Sequence, residues 1–154
     1  MREYILTVMA QDRVGIVRDV STAEHEIIRR IAGQIRQPAE TVRAALLDDI
    51  APEVEISQRT LETACLPLLE AIVTTLRYYS AENRNTQVDR LLVCGRFALA
   101  RGFVELLDSA LPFEVVLWNP VAHIRWNVDD RAEAMLHRMG SSMVVAAGLA
   151  MRTT

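Results

Sequence analysis

Two β-rich runs open the chain, Glu3 to Ala10 (EYILTVMA) and Gly15 to Ser21 (GIVRDVS), with only Gln11-Asp12-Arg13-Val14 between them. A link this short, carrying turn-forming residues, folds the second run back onto the first, so the spacing predicts an antiparallel hairpin. Thr22 is placed to cap a helix running to Arg36, in which Ile27, Ile28, Ile31 and Ile35 recur at helical spacing as one apolar stripe. Pro38 suits the first turn of a second helix, Ala39 to Ile50, with Val42, Leu46 and Ile50 facing inward.

Ser57 is a natural N-cap for a long helical region reaching about Ala81. Pro67 inside it removes a helix hydrogen bond and is expected to kink or divide the helix. Val88 to Cys94 (VDRLLVC) reads as a buried strand, followed by a loop from Gly95 to Arg101 and a helix from Gly102 to about Leu111. Val115 to Trp118 repeats the strand signal and Asn119-Pro120 ends it. A less regular stretch then leads to a last helix from about Ser142 to Met151. A mixed sheet with helices packed on it accommodates this order, which places the chain in the α/β class. There is no internal repeat and no low-complexity segment.

At 154 residues, 51% hydrophobic and 24% charged, the chain fits one globular domain with one core. All 17 basic residues are arginine, so a P-loop lysine and a Schiff-base lysine are both excluded. The net charge of −3 gives no broad basic field for neutralising phosphates, which argues against nucleic acid as a partner. No apolar run reaches the roughly 18 to 20 residues of a membrane span, and the first residues enter a strand rather than a signal-peptide core, so a cytoplasmic location is expected. Cys65 and Cys94 stand far apart in apolar company, with the pattern of buried free thiols.

The sharpest local feature is Gly95-Arg96-Phe97-Ala98, because a strand ending in glycine lets backbone approach a ligand where a helix presents unpaired N–H groups. Asp12, Asp19, His25 and Glu26 gather near the hairpin and could imitate an acid–base site, although a turn and a capped helix start account for them better. His123 and His137 lie near Trp126, Asp129 and Asp130, but their spacing matches no metal-ligand motif. Ser141-Ser142 after Gly140 reads as a helix cap, since no nucleophile elbow surrounds it. Tyr78 and Tyr79 at a helix end read as sealing a core edge. No catalytic residue and no metal site emerge from this weighing.

The segment Leu91 to Pro120, LLVCGRFALARGFVELLDSALPFEVVLWNP, resembles the region of the actin-like pilus assembly proteins, the PilM family, in which a strand runs into a glycine-rich adenosine loop. The related cell-division protein FtsA shares that pattern of strand, glycine loop, helix, short strand and Asn-Pro. Leu76-Arg77-Tyr78-Tyr79 resembles the helix end before that strand, and Ala146 to Arg152 (AAGLAMR) resembles the family's terminal helix. The hairpin with Glu24 to Ala32 (EHEIIRRIA) is similar to the second and third strands of the same subdomain and the helix after them.

The resemblance implies an actin-like (ribonuclease H-like) subdomain across residues 1–154 with its first strand missing. It further implies a non-catalytic module among the inner-membrane assembly proteins of a type IV pilus or type II secretion system, peripheral to the membrane through its partners. The degenerate adenosine loop is Gly95, Arg96, Phe97, Ala98 and Gly102. Gly95, Ala98 and Gly102 match the family pattern, whereas Arg96 and Phe97 stand where it has glycine and are expected to obstruct a nucleoside. Ala23-Glu24 replaces a Gly-Gly pair and sets a carboxylate near the phosphate end. No cofactor is therefore expected, with ATP and magnesium, bound or hydrolysed by a residual nucleotide site, as the alternative. A second alternative is a small-molecule-sensing ACT domain, which YILTVMAQDRVGIVRDV also resembles and which requires a helix from about Val14.

With the first strand of the subdomain missing, Glu3 to Ala10 is expected to pair directly and antiparallel with Val88 to Cys94, because an open row of buried backbone polar groups is costly. A modest tendency to form homo-oligomers is expected as well.

Overall fold

The computed structural model describes residues 3–10, 13–48, 54–83, 88–122 and 127–150. The predicted hairpin is present: β1 (Glu3–Ala10) pairs antiparallel with β2 (Arg13–Ala23). Alternation along β1 buries Leu6 and Val8 and leaves Ile5 and Met9 exposed on the other face. Val8 faces Ile16 and Met9 faces Val14, so Gly15 is the extra residue of a bulge. A Cβ on Gly15 would lie 3.1 Å from the Tyr79 ring, so the bulge residue has to be small. A strand through residues 14 to 23 rules out the ACT-type arrangement, whose loop would give way to a helix there.

Helix α1 (Glu24–Ile35) follows β2 without a loop, and Ala23 in extended conformation is its N-cap. Thr22 is therefore not the cap; it is a buried strand residue. Glu24 and Glu26 supply negative charge to the uncapped first turn. At the other end Arg36 takes a left-handed conformation (φ 55°), and the amides of Arg36 and Gln37 both donate to the Ala32 carbonyl. Helix α2 (Ala39–Leu47) starts after Pro38, which is its N-cap rather than its first turn, and stops short of the expected Ile50, which lies outside the described residues.

Helix α3 (Gln58–Glu82) is capped by the Ser57 hydroxyl, which accepts from the Thr60 amide at 3.2 Å. Pro67 does not divide it. The lost hydrogen bond and steric conflict cost about 3 kcal/mol in a helix interior. Against that, Leu61, Ala64, Cys65, Leu68, Leu69, Ile72, Thr75 and Tyr79 bury one continuous face on both sides of the proline, and each large apolar side chain so buried contributes roughly 1.5–3 kcal/mol. Arg18 of β2 reaches the same face and donates to Thr75 Oγ1 at 2.9 Å.

Strand β3 (Arg90–Val93), a 3₁₀ turn (Arg96–Leu99), α4 (Phe103–Ala110) and β4 (Glu114–Leu117) form a compact unit in which β3 and β4 are parallel. Leu92 is 50% exposed and its neighbours are only partly covered, so β3 is not the fully buried strand that its apolar run suggests. Helix α4 packs on β4 and α3, α3 on α1, and α1 on α2, which joins the pieces through one core containing Leu6, Val20, Ile27, Ile31, Val42, Leu61, Phe97, Leu106 and Val115.

The expected β1–β3 ladder does not exist. Among the described residues there is no single mixed sheet but two two-stranded sheets, β1-β2 antiparallel and β3-β4 parallel. They meet through side chains: the Phe97 ring lies edge-on to Tyr4 of β1 (centroids 6.2 Å apart) and to Phe103 of α4 (4.9 Å). Each sheet is positioned by the helical layer against which it buries its apolar side chains, and that layer does not require their backbones to come within ladder distance.

The stretch read as irregular before the last helix contains α5 (Asp130–Met139), with Asp129 as N-cap accepting from the Ala132 amide at 2.8 Å. A second 3₁₀ turn (Gly140–Met143) leads into α6 (Val144–Ala150). Ser141 and Ser142 lie within that turn and do not cap the last helix.

Candidate functional site

The loop after β3 is built around two glycines whose backbone explains their identity. Gly95 has φ 100° and ψ 171°, and Gly102, the N-cap of α4, has φ 75°. Both conformations strain any residue with a Cβ. Nothing lies within 4 Å of where a Gly95 side chain would begin, so conformation and not crowding demands glycine there. Between them the loop is tied down by its own turns, Ala98 N–H to Gly95 O (3.2 Å) and Ala100 N–H to Phe97 O (3.0 Å). Arg101 anchors it to the end of α2, donating from its amide to Leu46 O (3.0 Å) and from Nη2 to Asp48 O (2.9 Å).

Phe97 and Ala98 are buried, so the Phe97 ring does not obstruct the loop as the sequence suggests; it is a core residue between Tyr4 and Phe103. Arg96 is the exposed member of the pair. The Gly95 amide, which in a strand–glycine–helix unit would be a donor for a ligand, is already taken by the Ser141 carbonyl at 2.6 Å. Ser141 is held there by its neighbours: Asn119 Nδ2 donates to His137 O (2.8 Å), and Asn119 Oδ1 accepts from the Val121 amide (3.0 Å). Gly140 sits against that same Asn119 carboxamide, with no room for a side chain.

Across the core, the carboxylate of Glu24 in the first turn of α1 is nearly buried and pairs with Arg43 Nη1 of α2 at 2.6 Å. A helix start that could receive an anion thus holds one of the protein's own, already neutralised. Burial perturbs two thiols and a phenol. It pushes the Cys65 thiol up to about 12, with Arg30 opposing the shift in part. It also raises the Cys94 thiol and lifts the Tyr4 phenol well above its usual range, aided by the nearby Cys65 and Glu24. The Tyr4 and Ser141 hydroxyls are buried without a hydrogen-bond partner among the described residues.

The remaining sequence candidates do not converge. Asp19 is on the exposed face of β2, while His25 and Glu26 belong to the first turn of α1; Asp12 lies outside the described residues, as do His123 and Trp126. Asp129 is a helix cap, and His137 stands 3.8 Å from Glu133 one turn earlier in α5. Tyr78 is exposed and donates to Glu82, whereas Tyr79 is buried. Among the described residues no three His, Cys, Asp or Glu side chains are grouped to hold a metal. No helix among them is long and apolar enough to cross a membrane.

Arg43, Asn119 and Gly140 shape this region and were not singled out by sequence reasoning. The Asn-Pro doublet was a signal, but only for the end of a strand; what Asn119 holds lies 18 residues further on.

Fold and loop together define an α/β protein with a strand, glycine turn and helix unit whose Gly95 amide is bonded within the chain. Residues 6–154 match the family of the type IV pilus assembly protein PilM, and the chain belongs to that family. Among curated proteins none matches it.

Proposed function

We propose that this PilM-family chain serves pilus assembly as a non-catalytic interaction module of actin-like architecture, working at the inner-membrane platform of a type IV pilus or the related type II secretion system. The observation that carries the reading is the Ser141 carbonyl on the Gly95 amide, which removes the loop's ligand-facing donor. The Glu24–Arg43 pair at the start of α1 supports it, because a bound phosphate would meet a carboxylate there. Membership of the family supplies the pilus context.

Isothermal titration calorimetry with ATP and magnesium tests the non-catalytic part. No heat of binding is expected up to millimolar nucleotide, and a saturable isotherm whose heat disappears on Gly95→Val would overturn it in favour of a nucleotide-binding half. The platform role is tested by deletion in the native host: intact piliation and intact type II secretion in the deletion strain would sink it.

A further inference from the structure

Helix α3 carries a second apolar strip beside the face it buries in the core. Leu66, Leu69, Val73 and Leu76 recur at alternating intervals of three and four residues, the spacing of a coiled-coil seam. Leu66 is 45% exposed, and Val73 and Leu76 are only partly buried. Together with Glu70, Thr74 and Arg77, the first three residues of the strip line a shallow depression of about 340 Å³. All of its lining residues belong to α3, so no other described element walls it in. Glu70 and Arg77 are exposed, and neither has an ion-pair partner among the described residues. Seven residues of helix set them about 10.5 Å apart and nearly in line along the axis, too far to neutralise each other within one helix.

We propose that this strip is the contact surface between two copies of the chain, whose α3 helices pair antiparallel across a two-fold axis near Val73 and Thr74. Glu70 then faces the partner's Arg77, and the symmetry makes the same pair a second time. A parallel pair would set glutamate against glutamate and arginine against arginine, so charge selects the antiparallel arrangement. Between the two ion pairs Leu69, Val73 and Leu76 of both helices interdigitate, and Val73 and Thr74 beside the axis are small enough for close approach. A helix of another protein could cover the same leucines, but it would need a base and an acid of its own at the matching seven-residue interval. A second copy carries both. The stretch from Leu66 to Arg77 is about 17 Å long, which keeps the interface below roughly 1,200 Å² and makes the association weak and concentration-dependent. The proposal deepens the interaction-module reading and rests on it for biological purpose alone.

Sedimentation velocity on the full chain tests it. The parent is expected to pass from monomer toward dimer between about 10 µM and about 1 mM. Glu70→Arg and Arg77→Glu change exposed positions and should leave unfolding near that of the parent. Each should weaken dimerisation by roughly tenfold or more, because one reversal turns both ion pairs into like-charge contacts. An equimolar mixture of the two variants restores opposite charges across the axis and should dimerise about as well as the parent. Independently of any variant, dimerisation of the parent should weaken as salt rises from about 50 to about 500 mM. A parent that stays monomeric up to about 1 mM, single variants that dimerise as the parent does, a mixture that stays monomeric, association indifferent to salt, or a larger oligomer in place of the dimer would each overturn the proposal. Any of these outcomes would leave the nucleotide titration and the deletion test standing, and a positive ATP isotherm would leave the pairing standing.

Discussion

Gly140→Ala adds one methyl group at a point where there is no space for it. The Cβ would overlap Asn119 Oδ1 and Val121 Cγ2 and lie 2.6 Å from Asn119 Cγ. The backbone of Gly140 is right-handed helical (φ −60°, ψ −30°), so alanine meets no conformational penalty and the whole effect comes from contact. Overpacking of this kind costs about 1–3 kcal/mol if the site must absorb it. The chain has a cheaper escape, because α5 and α6 bury no residue of their own and the segment is seated through Gly140 and Ser141. Undocking gives up chiefly the Ser141–Gly95 and Asn119–His137 hydrogen bonds, each worth about 1 kcal/mol net. The cost is the smaller of the two routes, on the order of 1–2 kcal/mol, and falls on the C-terminal segment. Exchange at the Gly95 amide should rise about 5- to 30-fold, the kinetic equivalent of that range, while exchange in α1 and α3 stays near that of the parent. If Gly95 exchanges at the parental rate and unfolding is unchanged, the tight seat of Gly140 and its role in closing the loop are both refuted.

Arg43→Met should destabilise by about 1–3 kcal/mol in denaturant unfolding at pH 7, because it strands the nearly buried Glu24 carboxylate; adding Glu24→Gln should recover part of the loss, and an additive double mutant would deny the coupling. Tyr4→Phe removes a buried hydroxyl that has no hydrogen-bond partner among the described residues and should leave stability unchanged or raise it by up to about 1 kcal/mol in the same assay. The Cys65 thiol is neutral when protonated and its folded value is raised from 9.0 to about 12, so the native state keeps a proton that the unfolded chain releases. Its contribution is intact below pH 9.0 and is lost as pH rises toward about 12, with a slope near 1.4 kcal/mol per pH unit for one group. Chemical unfolding between pH 8 and 10.5 measures it, and the slope should be smaller in Cys65→Ala.

Local patterns carried the elements whose cause is local. The hairpin follows from two β-rich runs with almost nothing between them, and α1 from isoleucines at helical spacing. The Ser57 cap was legible because a cap and the amide it satisfies are three residues apart. Helix α5 could have been read the same way from Asp129-Asp130 at its start and His137-Arg138 at its end, which complement the helix dipole. Pro67 shows the limit: the rule that proline breaks helices is local, and burial of the α3 face against several other elements overrode it.

The sequence by itself determined the class of the chain, the order of most elements and, through the stretch from Leu91 to Pro120, its family. Tertiary structure decided which edges pair, where Phe97 points, what neutralises Glu24 and what occupies the Gly95 amide. The Glu24–Arg43, Gly95–Ser141 and Tyr4–Phe97 contacts join groups between 19 and more than 90 residues apart in the chain, and whether such groups meet is set by how the helical layer packs. That packing is a property of summed apolar burial over the whole core, with no signature in any short window of residues.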